Sequence, residues 1–203
     1  MNKKRIICLI TLIMFLILLI IILKTDELKI DNYIINIFQR KNNIFTNIMK
    51  AITFLGSATC IITLTIILLL TIKNKQIKIL IASNLIISTL LNQILKYAVQ
   101  RPRPENPIIK ETGFSFPSGH SMVSLTFYGL LIYLIIKSNM KYKKLYITVL
   151  LIIIPLIGIS RIYLGVHYPT DVLGGFLIST SYLIILIEIT KPLQTKIKTI
   201  DNK

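Results

Sequence analysis

The chain contains two histidines, His120 and His167, and each lies in a short polar segment with a glycine and a serine. A histidine changes its charge near neutral pH and can act as an acid, a base or a nucleophile. Asp171 follows His167 by four residues, so its carboxylate can fix the imidazole proton on one nitrogen and leave a lone pair on the other. This spacing predicts a reactive histidine, and an aspartate that caps a helix beside a bystander histidine fits the pattern equally well.

Basic residues lie close to both histidines in the sequence. Lys96, Arg101 and Arg103 come at the end of an apolar run, where two X-Pro steps favour an extended exit from a helix. In one interpretation these cations contact lipid headgroups or signal topology, as is common at a membrane edge. In the other they clamp an anion, with the planar fork of Arg103 on phosphate oxygens and Lys96 as a point charge.

A glycine turn precedes the fourth apolar run. Pro117, Ser118 and Gly119 let backbone N–H groups approach an anion at the positive end of the following helix, which would place His120 beside a phosphate. The alternative is a capping or solvated histidine. Two histidines, one carboxylate, several cations and a glycine turn together suit in-line displacement at phosphorus, in which one histidine attacks and the other protonates the leaving oxygen. We therefore predict phosphoryl chemistry.

The composition indicates that a membrane positions these residues. Hydrophobic residues make up 54% of the 203 residues and charged residues 16%, whereas soluble domains are about 45–50% apolar and about 25% charged. Since about 20 apolar residues cross the hydrocarbon core, we predict an all-α polytopic membrane protein, a bundle of six transmembrane helices in one domain over residues 1–203. The predicted spans are 6–23, 51–72, 79–95, 121–136, 145–162 and 172–190. Polar side chains dilute the third span and Pro155 interrupts the fifth, so we expect those faces to be buried in protein.

The charge distribution orients this bundle. The chain ends and the loops after the second and fourth spans carry 14 basic and 2 acidic residues, whereas segments 24–50, 96–118 and 161–171 carry 10 basic and 6 acidic residues. The positive-inside rule then predicts cytoplasmic termini and an extracytoplasmic active site. The net charge of +16 lies in short clusters with few aromatic residues beside them, which argues against a nucleic-acid partner.

The first 50 residues raise two further questions. Basic residues followed by the run 6–23 could form a secretory signal peptide, but the run is long and no small-x-small cleavage site follows it, so we expect an uncleaved first span. Apolar residues at helical spacing within 24–50 predict a short interfacial helix or helix pair, with a packed connecting loop as the alternative. Cys8 and Cys60 lie inside apolar runs and indicate neither a disulfide framework nor a metal site.

Three motifs resemble the signature of a known family. They are Lys96-x6-Arg103-Pro104, Pro117-Ser118-Gly119-His120 and Ser160-Arg161-x5-His167-x3-Asp171. In order and without a departure, they resemble the three-part signature of the type-2 phosphatidic acid phosphatase superfamily. The motifs cover only residues 96–171, but the six-span layout is similar to the membrane-bound lipid phosphatase branch across nearly the whole chain.

The resemblance implies a role for each matching residue. His167 would be the nucleophile that forms a phosphohistidine, and Asp171 its orienting partner. His120 would protonate the leaving lipid oxygen and later activate water. The phosphate would be bound by Lys96, Arg103, Ser118, Gly119 and Arg161. Arg101 lies outside the fixed positions and could face lipid headgroups.

The resemblance also implies a cofactor-free reaction without a metal, and the outward acidic residues show no spacing suited to Mg²⁺. A site at the outer membrane interface can meet a lipid headgroup whose tail stays in the bilayer, so the predicted partners are a lipid phosphate substrate and the bilayer itself. Similarity to small bacterial members favours undecaprenyl diphosphate in a bacterial cell membrane. Phosphatidylglycerophosphate, phosphatidic acid and transfer to another lipid acceptor are the alternatives within the family.

Two other classes of protein remain possible on the sequence. A transporter is disfavoured because no inverted repeat and no ionisable residue in mid-span is evident. A structural or headgroup-binding membrane protein would need the cations but not His167 and Asp171.

Overall fold

The computed structural model describes residues 3–25, 28–38 and 43–200, with side chains described up to residue 190. Throughout these ranges the regular elements are all α-helices, which confirms the predicted fold class. In chain order they are α1 Lys3–Lys24, α2 Lys29–Phe38, α3 Asn43–Leu55, α4 Ala58–Thr71, α5 Lys75–Val99, α6 Gly119–Lys137, α7 Lys143–Tyr163 and α8 Pro169–Ile200.

Five helices are each long and apolar enough to cross a membrane: α1, α5, α6, α7 and the part of α8 up to Thr190. They contain the predicted spans 6–23, 79–95, 121–136, 145–162 and 172–190. The helices α3 and α4 pass the same test only together, with a bend of 43° between them. A bend of this size keeps the chain moving in one general direction, so we count the pair as the remaining span of a six-span bundle.

The break between α3 and α4 differs from the continuous helix expected over 51–72. Gly56 lies where a Cβ atom would approach the Ile157 side chain on α7 to 2.5 Å, so only glycine allows the chain to pass this closely. Ser57 then caps α4, accepting a hydrogen bond at its Oγ from the backbone N–H of Cys60 at 3.2 Å. Because residues 51–72 contain no charged residue, hydropathy alone does not reveal the break.

Polar residues of α5 lie inside the bundle, as expected for the third span. Asn84 and Ser88 are fully buried, and Asn92 is 3% exposed. The amide of Asn84 donates to the carbonyl oxygen of Thr126, and that of Asn92 to the carbonyl oxygen of Pro117, both at 3.1 Å. These bonds engage the amide nitrogens and fix α5 against α6 and the turn before it. Among the described residues, the largest cluster of buried apolar side chains consists of Ile61, Leu80, Ile81, Phe127, Tyr128, Leu130, Ile154 and Ile157.

The chain between the first span and α3 forms a short helix. The helix α2 packs against α7 and α8 through two buried side chains, Asp31 and Ile35. Because α3 is the first part of the broken span, only α2 corresponds to the short helix expected outside the spans within 24–50. The first helix, α1, packs along α8, where the hydroxyls of Thr11 and Ser181 lie 2.6 Å apart.

Backbone hydrogen bonds join the loops at one end of the bundle. Segment 100–118 follows α5, and segment 164–168 follows α7. The N–H of Ile108 donates to the carbonyl oxygen of Leu164 at 2.9 Å, and the N–H of Ser118 to the carbonyl oxygen of Asp171 at 3.0 Å. All three motifs therefore meet at the same end of the molecule.

Candidate active site

His167 lies between an anion and a cation. Its Nδ1 is 3.5 Å from Oδ2 of Asp171, one helical turn further along at the start of α8. Its Nε2 is 3.2 Å from Nη1 of Arg103, which has only hydrogens to donate. These neighbours favour the tautomer with the proton on Nδ1 and the lone pair on Nε2. The arrangement leaves the lone pair on the nitrogen that faces Arg103.

The carboxylate of Asp171 is held on several sides. Its Oδ2 accepts hydrogen bonds from the Ser115 hydroxyl at 2.5 Å and from the backbone N–H of Tyr168 at 2.8 Å. Its Oδ1 accepts from Nη1 of Arg101 at 2.6 Å. The residue is fully buried. Asp171 therefore lies beside Nδ1 of His167 and is not among the residues that line the cavity.

Burial sets the protonation state of His167. The side chain is 2% exposed, and loss of water lowers its pKa to about 4, although Asp171 acts in the opposite direction. Arg161 and Lys96 lower it further. The imidazole is consequently neutral at physiological pH and keeps its lone pair.

Two expected phosphate ligands also tie the loops together. Arg103 donates through Nε to the carbonyl oxygen of Gly113 at 2.9 Å and through Nη1 to that of Val166 at 2.8 Å. Lys96 donates to the carbonyl oxygens of Phe114 and Ser115. The two cations thus fix their own positions and stabilise the loop that carries Ser115.

Arg161 is fully enclosed and has an anionic partner. It is 1% exposed and donates to Oε1 of Glu111 at 2.5 Å and to the Thr53 hydroxyl at 2.8 Å. Burial alone would raise the pKa of Glu111, but its hydrogen bond with Arg161 holds that pKa below the usual range. A phosphate that binds Arg161 must therefore compete with a carboxylate.

His120 follows the glycine turn at the start of α6. Ser118 caps the helix, accepting at its Oγ from the N–H of Ser121 at 3.4 Å and from the Ser121 hydroxyl at 3.0 Å. Gly119 packs so closely on Asn92 that a Cβ would lie 3.0 Å from its Oδ1. This contact fixes the first turn of α6 and with it the position of His120.

Most of the predicted site residues line one cavity of about 390 Å³. They are Lys96, Arg103, Gly119, His120, Arg161 and His167. Ser118 and Asp171 are not among the lining residues: Ser118 caps α6, and Asp171 supports His167. The cavity has a polar lining and three cations, which suits a phosphate group.

An apolar groove of about 450 Å³ adjoins this cavity. Its walls come from α4, α5 and α6, and residues such as Ile61, Ile86 and Val123 make them hydrophobic. The cavity and the groove share Asn92, Gln93, Gly119 and His120. A molecule with an anionic head and a hydrocarbon tail fits this pair of sites.

Sequence reasoning missed several residues that support the site. Ser115 lies two positions before the Pro117-Ser118-Gly119-His120 motif, and Glu111 and Thr53 lie outside all three motifs. For Arg101 the sequence left both headgroup contact and a part in an anion clamp open; the side chain is 3% exposed and bridges Asp31 and Asp171. The sequence marks Arg101 only as a second arginine next to the motif, in Arg101-Pro102-Arg103-Pro104. Among the described residues, no three histidine, cysteine, aspartate or glutamate side chains lie close enough to hold a metal ion.

A membrane-spanning helical bundle with a buried His–Asp pair and three cations at one end defines an integral membrane protein with an anion-binding active site. Comparison with known families agrees: residues 77–194, more than half of the chain, match the model of the PAP2 superfamily. The chain belongs to this superfamily, which confirms the resemblance seen in the motifs.

Two individual relatives come from Bacillus subtilis and Sulfolobus acidocaldarius. The chain is 42% identical over 118 residues to "Phosphatidylglycerophosphatase B" of Bacillus subtilis, which covers 56% of each chain. It is 30% identical over 142 residues to "Undecaprenyl-diphosphatase" of Sulfolobus acidocaldarius, which covers 66% of each chain. These matches thus span about half to two thirds of the relatives' length.

A solved structure resembles nearly the whole fold. The transmembrane PAP2 type phosphatidylglycerolphosphate phosphatase from Bacillus subtilis superposes with a TM-score of 0.82 at 29% identity. The superposition covers 91% of this chain and 96% of that one. The shared architecture therefore includes the spans on both sides of the motif region.

Proposed function

We propose that this protein is a lipid phosphatase that hydrolyses a membrane lipid phosphate or diphosphate through a phosphohistidine on His167. The observation that carries the proposal is the position of this side chain. Its Nδ1 faces a buried carboxylate, and its Nε2 faces a cation in a cavity that continues into an apolar groove.

In the first step, Nε2 of His167 attacks phosphorus and a P–N bond forms as the P–O bond to the leaving group breaks. His120 gives its proton to the leaving oxygen of the lipid alcohol or lipid phosphate. Lys96, Arg103 and Arg161 balance the charge on the phosphoryl oxygens. In the second step, a water molecule attacks phosphorus while His120 takes its proton. The P–N bond breaks, which releases inorganic phosphate and restores free His167.

The relatives support two substrates. Phosphatidylglycerophosphate is named for a curated relative and for the solved structure, and undecaprenyl diphosphate for a second curated relative. The sequence favoured undecaprenyl diphosphate, which stays a prediction beside phosphatidylglycerophosphate. Both lipids place an anionic headgroup above a long hydrocarbon tail, as the joined cavity and groove require.

Phosphate release from the purified protein in detergent tests the proposal. Phosphatidylglycerophosphate, undecaprenyl diphosphate and phosphatidic acid are compared side by side, with EDTA present throughout. We expect release from at least one lipid by the wild type and none by His167→Ala. Full release by His167→Ala, or release only after an acceptor lipid is added, would contradict hydrolysis at His167. Absence of release by folded wild-type protein with every lipid would favour a transporter or a headgroup-binding protein.

A further inference from the structure

Asp31 is a charged residue deep inside the molecule and far from the motifs in the sequence. It lies on α2, outside the segment that matches the family, and is fully buried. Its Oδ1 accepts a hydrogen bond from the backbone N–H of Thr170 at 3.0 Å. Its Oδ2 accepts from the Thr170 hydroxyl at 2.6 Å and from Nη2 of Arg101 at 2.8 Å. Both carboxylate oxygens therefore have specific partners.

Arg101 joins Asp31 to the reactive pair. Its Nη2 contacts Asp31, while its Nη1 contacts Oδ1 of Asp171 at 2.6 Å and the Thr170 hydroxyl at 2.8 Å. The guanidinium also lies 4.2 Å from the centre of the Tyr168 ring. With Oδ1 of Asp171 held in this way, its Oδ2 is left for Ser115, Tyr168 and His167. The chain of contacts runs from α2 to the nucleophile.

The charges in this network do not cancel completely. Asp31 and Asp171 carry two negative charges against the single positive charge of Arg101, so the buried trio keeps a net charge of −1. Formation of a P–N bond places positive charge on the imidazole of His167, and an adjacent net anion stabilises it. If Asp31 carried no charge, the positive charge of Arg101 would cancel the negative charge of Asp171 and the network would have no net charge. Lys96, Arg103, Arg161 and Glu111 line the same cavity as His167, and Asp31 is not among the residues that line it.

We propose that Asp31 is a positioning residue of the active site, which acts through Arg101 to orient Asp171 and to preserve its negative charge. The inference rests on the proposed function, since it assumes that His167 is the nucleophile. It makes α2 part of the catalytic machinery and explains why a short helix outside the spans buries a carboxylate.

A purely structural role for Asp31 predicts different kinetics. If Asp31 only anchors α2, its replacement loosens the fold and lowers activity as much as any equally destabilising change nearby. Ile35 provides that control, because it is the other buried residue of α2, lies one turn away and has an apolar side chain that takes no part in the hydrogen bonds of Asp31. If Asp31 acts on the chemistry through Arg101, its effect appears in kcat and depends on Arg101.

The first experiment compares kcat, KM and Tm of Asp31→Asn and Ile35→Ala with the wild type, on whichever lipid the wild type hydrolyses. We expect Asp31→Asn to lower kcat about 10- to 100-fold, the usual effect of removing a residue that orients a group in direct contact with the reacting atoms. KM should stay within about twofold of the wild-type value. Ile35→Ala should lower Tm at least as much and leave kcat within about threefold. Equal losses of kcat in the two variants, or wild-type kcat in Asp31→Asn, would overturn the proposal.

The second experiment is a double-mutant cycle with Arg101→Gln. Since Asp31 acts through Arg101, the double variant should have the kcat of Arg101→Gln alone, whereas independent effects would multiply and overturn the proposal. Should a variant fail to fold, Thr170→Val breaks the hydroxyl link between Asp31 and Arg101 and is expected to lower kcat in the same way. Wild-type kcat in that variant would also contradict the proposal. Failure of the proposed function itself would be seen in other proteins: the wild type would be inactive, or His167→Ala would be active.

Discussion

The imidazole of His167 owes its reactivity to what surrounds each nitrogen. Burial favours the neutral ring, Asp171 holds the Nδ1 side, and Arg103 faces Nε2. Protonation of Nε2 would remove the lone pair that attacks phosphorus in the proposed mechanism. Activity that depends on this lone pair is therefore retained above the pKa of about 4 and falls as the pH decreases through it.

Histidine NMR in detergent micelles measures this property directly. Because the chain has only two histidines, the His120→Gln variant leaves the His167 ring as the sole imidazole signal. We expect the spectrum of a neutral ring from pH 8 to pH 5, with the proton on Nδ1. A His167 pKa near the ordinary value of about 6.5 would show that its ring is not desolvated as described. Because Asp171 raises the pKa of His167, Asp171→Asn should lower that pKa further.

Glu111 holds the guanidinium that we propose as a phosphate ligand. Its carboxylate lies 2.5 Å from Nη2 of Arg161, so a phosphate must displace it or share the guanidinium. In the proposed reaction this competition weakens binding of any anion, including the product phosphate.

The variant Glu111→Gln should bind anions more tightly. Removal of the charge frees Arg161 for phosphate, and we expect the inhibition constant for vanadate or inorganic phosphate to fall about fivefold or more, in line with a hydrogen bond between charged groups. Glu105→Gln removes an exposed carboxylate from the same loop and serves as the control. An unchanged inhibition constant in Glu111→Gln would show that the carboxylate does not oppose the ligand.

Motif spacing predicted which residues meet at the site, but not how they are held. The positions of His120, His167, Lys96, Arg103 and Arg161 follow from three local patterns that fix residue type and order. Their partners lie far away in the chain, such as Asp31, which is 70 residues from Arg101. A single sequence carries no signal for such pairs, because a buried acid on a short amphipathic helix looks like a surface charge.

At the scale of the helices, the broken span shapes the route to the site. Its bend sets the N-terminus of α4 beside α5 and α6, where Gly56 and Ala58 line the apolar groove with His120. Hydropathy could predict that 51–72 crosses the membrane but not that the crossing is interrupted, since glycine and serine are tolerated within spans. The break became evident only from the contact of Gly56 with α7.

A tryptophan in the groove should separate lipids from water-soluble substrates. Ile86 lines the groove, whereas its exposed neighbour Ile87 does not. If the lipid tail lies in the groove, Ile86→Trp should raise KM for the lipid about fivefold or more and leave hydrolysis of para-nitrophenyl phosphate within about twofold. Ile87→Trp should resemble the wild type with both substrates. Equal effects of the two tryptophans would place the tail elsewhere.

The orientation of the whole molecule in the membrane is a prediction from its spans and charges. With six spans we predict both termini on one side, and the site loops at the opposite end from the loops that follow α4 and α6. The sequence contained enough information to predict the helical bundle, because each long apolar run must form a helix in lipid. Charge bias predicts the sidedness, with the site outside the cytoplasm.

Cysteine labelling in intact cells tests this orientation. In a protein with Cys8 and Cys60 replaced by alanine, Glu105→Cys introduces a thiol beside the site and Lys141→Cys one in the loop before α7. A maleimide that cannot cross the membrane should label position 105 in intact cells and position 141 only after permeabilisation. The reverse pattern would place the active site in the cytoplasm.

Capture of the phosphorylated enzyme tests the central claim most directly. The wild type is mixed with a lipid that carries a ³²P-labelled terminal phosphate and quenched in base, in which phosphohistidine survives, and the labelled peptide is sequenced by mass spectrometry. We expect the label on His167 and none on the His167→Ala protein. Turnover without a label on His167, or a label on another side chain, would contradict nucleophilic attack by this histidine.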